Sequence, residues 1–124
     1  MRSTLLAILL ASPVLLHAHH AAAQDATAGQ AVFKSQCSVC HSVTPGRTLT
    51  GPSLAGIVGR KAGSVEGFHY SAANKASGLT WTAAELDTYL TNPKGVIPGT
   101  TMTYPGLKDA TQRANLIAYL STLH

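Results

Sequence analysis

The sequence predicts an all-α fold of three main helices, one short helix and long loops. Three observations carry that expectation. Thr27 with Gln30, Thr82 with Glu85, and Asp109 with Gln112 each match the reciprocal pattern of a capping box, the signature of a helix N-terminus. Apolar residues follow each pattern at helical spacing. Between them lie stretches with little periodicity and frequent glycine and proline, as in loops. At 124 residues the chain has room for one small domain, and no internal repeat or linker divides it.

The first two dozen residues stand apart from that domain. Arg2 gives a positive start, Leu5 to Leu16 form an apolar run too short to span a bilayer comfortably, and Ala21–Ala23 supply a small-residue cleavage pattern. A secretory signal at residues 1–23 is expected, with the mature domain at 24–124; an uncleaved membrane anchor is the alternative. His17, His19 and His20 lie in or beside this segment and carry no weight in the site. The whole chain has nine basic and five acidic residues. Losing Arg2 leaves a mature charge near about +3, enough to favour an acidic partner surface but far from a nucleic-acid footprint.

The first helix opens at Thr27 and runs through Ala31, Val32 and Phe33 towards Cys37. Gly29 in its first turn costs helix propensity and marks close approach of another element. Then comes Cys37-Ser38-Val39-Cys40-His41. Two thiols three positions apart followed by an imidazole form the attachment signature of c-type haem. The thiols sit about one helical turn apart, within reach of two vinyl groups on one porphyrin edge, and His41 can supply an axial nitrogen. A zinc site needs further ligands, and downstream only His69 and His124 remain, without finger spacing. A thioredoxin-like redox pair wants a βαβ context, which is missing. Export would favour a disulfide, but one between Cys37 and Cys40 closes a very tight loop.

Residues 42–69 are punctuated by Pro45-Gly46, Gly51-Pro52, Gly56, Gly59, Gly63 and Gly67. So long an irregular stretch is uncommon in a compact domain. It makes sense if the loop wraps a buried porphyrin, whose apolar surface a small chain cannot easily replace. Leu49, Leu54, Ile57, Val58 and Phe68 are the expected inward anchors. A short helix is expected at Ser71–Lys75. The helix opened by Thr82 carries Leu86, Tyr89 and Leu90 and stops at Asn92-Pro93, because the residue before proline avoids the helical region. Residues 94–108 read as irregular. The last helix, capped by Asp109, buries a stripe of Leu116, Leu120 and Leu123 widened by Ile117.

Apart from the initiator, Met102 is the only methionine. A methionine that merely fills a core gap sits more naturally on a helix face, whereas Met102 lies in a loop beyond Pro98-Gly99. Ligation of the iron is therefore favoured. A thioether opposite histidine raises the reduction potential, and a filled sixth position suppresses ligand chemistry.

Together these features resemble class I cytochrome c, in the mitochondrial-like branch found also as bacterial periplasmic carriers. The similarity covers about Gly29 to Leu120 and rests on Cys37-Ser38-Val39-Cys40-His41, Gly51-Pro52-Ser53-Leu54 with Gly56, Gly59-Arg60-Lys61, Ala73-Asn74-Lys75, Trp81, Tyr89-Leu90 with Asn92-Pro93-Lys94, Ile97 to Met102, and Leu116 to Leu120. The resemblance implies a small cytochrome c fold around one haem c, with thioethers at Cys37 and Cys40 and iron ligands His41 and Met102. It implies that the Pro52 carbonyl orients His41. Tyr70, Trp81 and Arg60 would serve a haem propionate, while Tyr89, Asn74 and Thr100 would form a polar network around the methionine. Core packing alone is the alternative for the aromatics. Gly29 and Phe33 would meet Leu116 and Tyr119 where the first and last helices cross.

There are departures. Gln36, Gly95, Thr101 and Asp109 stand where mitochondrial members usually carry lysine, and Tyr104 stands where phenylalanine is usual. Lys94 and Lys108 remain, and Arg47 can add to them. The expected function is that of a soluble, monomeric, periplasmic one-electron carrier, not an enzyme. Its expected partners are redox protein donors and acceptors with acidic docking surfaces, bound weakly and transiently, with no nucleic acid and no stable membrane insertion after cleavage. A haem subunit permanently bound to an oxidoreductase, or a peroxide- or gas-binding protein with labile methionine ligation, are the other classes.

Overall fold

The computed structural model describes residues 24–124; the expected signal at 1–23 lies outside the described residues. Five helices follow in order: α1 Ala26–Gln36, α2 Ala72–Ala76, α3 Ala83–Thr91, α4 Pro93–Val96 and α5 Ala110–Leu120. Among the described residues no strand forms; a single antiparallel bridge joins Lys61 and Thr80.

The start of α1 corrects the expectation at Thr27. Asp25 is the cap: its carboxylate accepts from the amides of Thr27 at 2.8 Å and Ala28 at 3.1 Å. Its backbone is extended, and its negative charge suits the positive end of the helix dipole. Thr27 is already inside the first turn. The Asp25 amide also donates to Asn115 Oδ1 at 2.9 Å, tying the start of α1 to α5.

α1 and α5 cross at Gly29. A Cβ built there would lie 1.9 Å from the Asn115 carbonyl oxygen and 2.9 Å from Tyr119 Cβ, so only glycine lets the two backbones approach this closely. One turn further on, Phe33 meets Tyr119 with ring centroids 5.7 Å apart. The crossing expected from Gly29, Phe33 and Tyr119 is thus present.

Ser71 and Thr82 cap α2 and α3, accepting from Asn74 and Glu85 at 3.0 and 3.1 Å. α3 ends before Asn92, whose φ of −157° and ψ of 82° are not helical. Yet the same dipeptide begins α4, a second correction. Proline needs no N–H partner at the first helical position, and Asn92 Oδ1 accepts from Gly95 N at 3.2 Å. Asp109 caps α5 through Gln112 N at 2.8 Å.

The core gathers Phe33 from α1, Leu86, Tyr89 and Leu90 from α3, and Leu116, Ile117 and Leu120 from α5, with Ile57, Trp81, Ile97 and Leu107 from the loops. Leu123 lies past the end of α5 and is only partly buried. Ile57 is buried as expected, and Leu54 is packed against the core. Leu49 and Val58 are not anchors: they are 39% and 36% exposed. Two consecutive turns, Ile57 N to Leu54 O and Arg60 N to Ile57 O, leave Val58 on the outside, while the Leu49 amide closes its own turn on Gly51 O.

One buried charge had no precedent in the apolar pattern. Arg113 on α5 is 9% exposed, and its Nε donates to Asp87 Oδ1 on α3 at 2.7 Å.

Candidate functional site

The C-terminal end of α1 delivers the cysteine motif. Cys37 caps the helix, and the amides of Cys40 and His41 both turn back to the Cys37 carbonyl, at 3.1 and 2.9 Å. That coil brings both sulfurs and the imidazole to one cavity of about 450 Å³. No disulfide joins Cys37 and Cys40. Burial, with Cys40 adding to it, pushes the Cys37 thiol up to about 11, which makes it a poor nucleophile and unlike an activated redox pair.

His41 is held from behind. Its Nδ1 lies 2.8 Å from the Pro52 carbonyl, which accepts the ring proton and leaves Nε2 as the basic nitrogen. The Gly51 amide donates to Cys40 O at 2.7 Å, fixing this segment against the motif. A Cβ on Gly51 would lie 2.4 to 2.9 Å from three atoms of the imidazole, so the ring rests directly on glycine backbone. Burial lowers the His41 pKa; the Pro52 hydrogen bond opposes this and the Arg60 charge adds to it. The imidazole is therefore neutral and competent as a ligand.

Met102 reaches the same cavity from the loop after α4. The Tyr89 hydroxyl donates to its sulfur at 3.5 Å, and its amide donates to Thr100 Oγ1 at 3.3 Å. Burial raises the Tyr89 pKa, with the neighbouring Thr100 side chain opposing, so the phenol stays a donor. Trp81 packs on Tyr89 at 4.7 Å. Leu86, Leu90, Leu116 and Leu120 complete an apolar wall.

All eleven residues expected at the site line this one cavity: Cys37, Cys40, His41, Pro52, Arg60, Tyr70, Asn74, Trp81, Tyr89, Thr100 and Met102. Their bonding adds detail. Arg60 spends two N–H groups on loop carbonyls, Ala55 O and Ser53 O, both at 2.9 Å. The Tyr70 hydroxyl accepts from Val65 N at 3.2 Å, and its ring meets Phe68 edge-on. Sequence reasoning missed the support that Gly51 gives to His41, although the Gly51-Pro52 pair was visible. It also missed the hydrogen bond from Tyr104 to Gln36 Oε1 beside the cavity, which joins the methionine loop to α1 across 68 positions.

The cavity, about 450 Å³ and mostly apolar in its lining, suits a large apolar group with polar contacts at its edge. Asn74 Oδ1 is the one buried side-chain oxygen without a partner among the described residues, and it belongs to a cavity-lining side chain. An occupant pairs this side chain by donating to the oxygen, or by accepting from the amide N–H₂ once the amide is turned over. Arg60 supplies positive charge on the same wall.

The cytochrome c family model matches residues 26–124. The chain belongs to the cytochrome c family. It is 52% identical over 101 residues to cytochrome c2 of Blastochloris viridis, covering 81% of this chain and 79% of that protein. Cytochrome c type-1 of Ascaris suum is 53% identical over 96 residues, 77% of this chain and 86% of its own. Among solved structures, cytochrome cH from Methylobacterium extorquens superposes with a TM-score of 0.75 at 43% identity, covering 79% of this chain and 98% of that one. This cytochrome c therefore carries covalently bound haem c, and Cys37 and Cys40 fit its attachment motif. It is an electron-transfer protein rather than an enzyme. Among the described residues no helix is long and apolar enough to cross a membrane.

Proposed function

We propose that this cytochrome c is a soluble, monomeric one-electron carrier of the periplasm, delivered there by a signal at residues 1–23, with His41 and Met102 as its axial ligands. The observation that carries the reading is that both side chains face one cavity, each already oriented by a hydrogen-bond partner in its wall. Pro52 holds the imidazole through Nδ1, and Tyr89 holds the thioether. The haem supplies a single-electron change of iron valence.

The chain's own residues position, insulate and tune. Leu86, Leu90, Leu116 and Leu120 exclude water from the cavity. Asn74, Tyr89 and Thr100 supply polar contact on the methionine side, and Tyr70, Trp81 and Arg60 serve the propionate edge. A hydrogen bond from Tyr89 to the sulfur draws electron density from the thioether and so adjusts the potential.

Docking is weak and transient, between larger redox proteins with acidic surfaces, and is steered by Lys94 and Lys108. Both lysines are exposed, although Lys108 Nζ also donates to the Thr91 carbonyl. Val39, between the two cysteines, lines the cavity yet is 82% exposed, so the cavity is open to an approaching partner there.

The deciding experiment is the optical spectrum of the oxidised holoprotein, read for the weak near-red sulfur-to-iron band. The band is expected in the wild type and absent in Met102→Ala, whose reduced form then binds carbon monoxide. Attached haem without the band in the wild type would refute methionine ligation and favour a ligand-binding haem protein. Changing Lys94 and Lys108 to Gln together is expected to slow turnover with a partner at low ionic strength; unchanged turnover would refute the docking reading.

A further inference from the structure

The methionine-bearing loop is fastened by backbone hydrogen bonds at its two ends and by side chains alone in the middle. Upstream, Ile97 N donates to Pro93 O at 2.9 Å and Thr100 N to Ile97 O at 3.0 Å. Downstream, Leu107 N donates to Leu90 O at 2.7 Å and Lys108 Nζ to Thr91 O. Residues 101–105 make no backbone–backbone hydrogen bond among the described residues. The other restraints on this stretch are side-chain bonds, Met102 N to Thr100 Oγ1, Tyr89 to the Met102 sulfur and Tyr104 to Gln36, so the two end fastenings carry the backbone's share in placing Met102.

The downstream one is organised by Arg113, which is not part of the cavity wall. Its Nη1 donates to Leu107 O at 3.0 Å and to Lys108 O at 3.1 Å, while its Nε donates to Asp87 Oδ1 at 2.7 Å. Asp87 lies one turn before Leu90 and Thr91, whose carbonyls receive the loop on the same stripe of α3. The seam is tight: Gly106 has φ +111°, and a Cβ there would lie 2.3 Å from the Thr91 oxygen. One guanidinium thus binds the end of the loop and the helix on which it closes.

We infer that the Arg113–Asp87 pair is a latch on the methionine loop, and that both are positioning residues for Met102. Asp87 neutralises a nearly buried cation and aims its fork at the two loop carbonyls. Without that acceptor the guanidinium turns towards water, and the loop end loses two charge-assisted hydrogen bonds. The loop then opens more often while the rest of the protein stays folded. The consequence for Met102 rests on its being an iron ligand, as proposed above; the latch itself does not.

The test uses the holoprotein and the variants Asp87→Ala, Asp87→Asn and Asp25→Ala. Asp25→Ala removes the α1 cap, which among the described residues shares no hydrogen bond with the loop, and serves as the control for general destabilisation. In Asp87→Ala the Leu107 amide is expected to exchange with deuterium about fivefold faster, the size of a partly exposed ion pair, while the Phe33 amide changes less than twofold. Apparent affinity of the oxidised protein for added imidazole is expected to rise by the same factor, because it scales with the open fraction. Asp87→Asn, which keeps an acceptor, is expected to fall between Asp87→Ala and wild type. Unchanged Leu107 exchange in Asp87→Ala, or a rise shared equally by all amides as in Asp25→Ala, would overturn the latch. If wild type lacks the near-red band, methionine ligation fails separately, and Leu107 exchange still decides the latch.

Discussion

Replacing Gly29 by alanine should separate the two helices that frame the cavity. The added Cβ would sit 1.9 Å from the Asn115 carbonyl oxygen and 2.5 Å from its carbon, against an ordinary contact of 3.4 Å or more. The neighbour is backbone, so no side chain can swing away. Relief requires α1 and α5 to move apart by about 1.5 Å, at the cost typical of severe overpacking, about 3 kcal/mol. Alanine regains about 1 kcal/mol of helix propensity over glycine, leaving a net loss of about 2 kcal/mol. For a domain of this size that lowers the melting midpoint by roughly 8–16 °C. Denaturant titration of the holoprotein, followed by haem absorbance and by circular dichroism, measures the loss. The strain also has a functional address, because α1 ends at Cys37 and α5 contributes Leu116 and Leu120 to the cavity. A Gly29→Ala protein equal to or more stable than wild type would refute the reasoning, since propensity would then outweigh the contact.

Other outcomes follow from the same geometry. Asp25→Ala should cost about 1 kcal/mol and Thr27→Ala much less, because Asp25 accepts the two first-turn amides; equal losses in chemical denaturation would return the cap to Thr27. Gly51→Ala forces the His41 ring away from the glycine backbone, with contacts as short as 2.4 Å. It should cost about 1–3 kcal/mol and perturb the histidine side of the haem spectrum, so a wild-type spectrum and midpoint would count against the cradle. Tyr104→Phe and Gln36→Ala should each cost under about 1 kcal/mol and show a coupling of about 0.5 kcal/mol in a double-mutant cycle, while fully additive losses would mean that their hydrogen bond contributes nothing.

What the sequence revealed was local or motif-dense. Thr82 and Asp109 announce their helices because a cap and its target lie three residues apart, inside any short window. Thr27 imitated that pattern two residues too late, and the carboxylate at Asp25 outcompeted its hydroxyl. Asn92-Pro93 was legible as a stop; that the same pair also starts a helix depends on Asn92 reaching Gly95. Cys37, Cys40 and His41 stood out as a short motif and Met102 as a lone loop methionine, whereas the other seven site residues on the cavity wall came only with the family resemblance. Hydrophobicity alone misplaced Leu49 and Val58, since an irregular loop has no period to say which side faces in. Arg113 was invisible as a buried residue: its partners are two carbonyls and an aspartate 26 positions away, and nothing in a helical stripe marks them.

The cavity also bears on the order of events during maturation. Ile57, Trp81, Leu86, Tyr89, Leu90, Leu116 and Leu120 belong both to the core and to the cavity wall, so the core is a lining around a space of about 450 Å³. Without an occupant, that lining gives up the apolar contacts that a filled core would make. The closed shape is therefore expected to be less stable before the haem is attached than after it. In the closed structure, moreover, burial pushes the Cys37 thiol up to about 11, whereas in an open chain the same thiol ionises far more readily. Attachment is accordingly expected to be faster on an open chain than on the closed one.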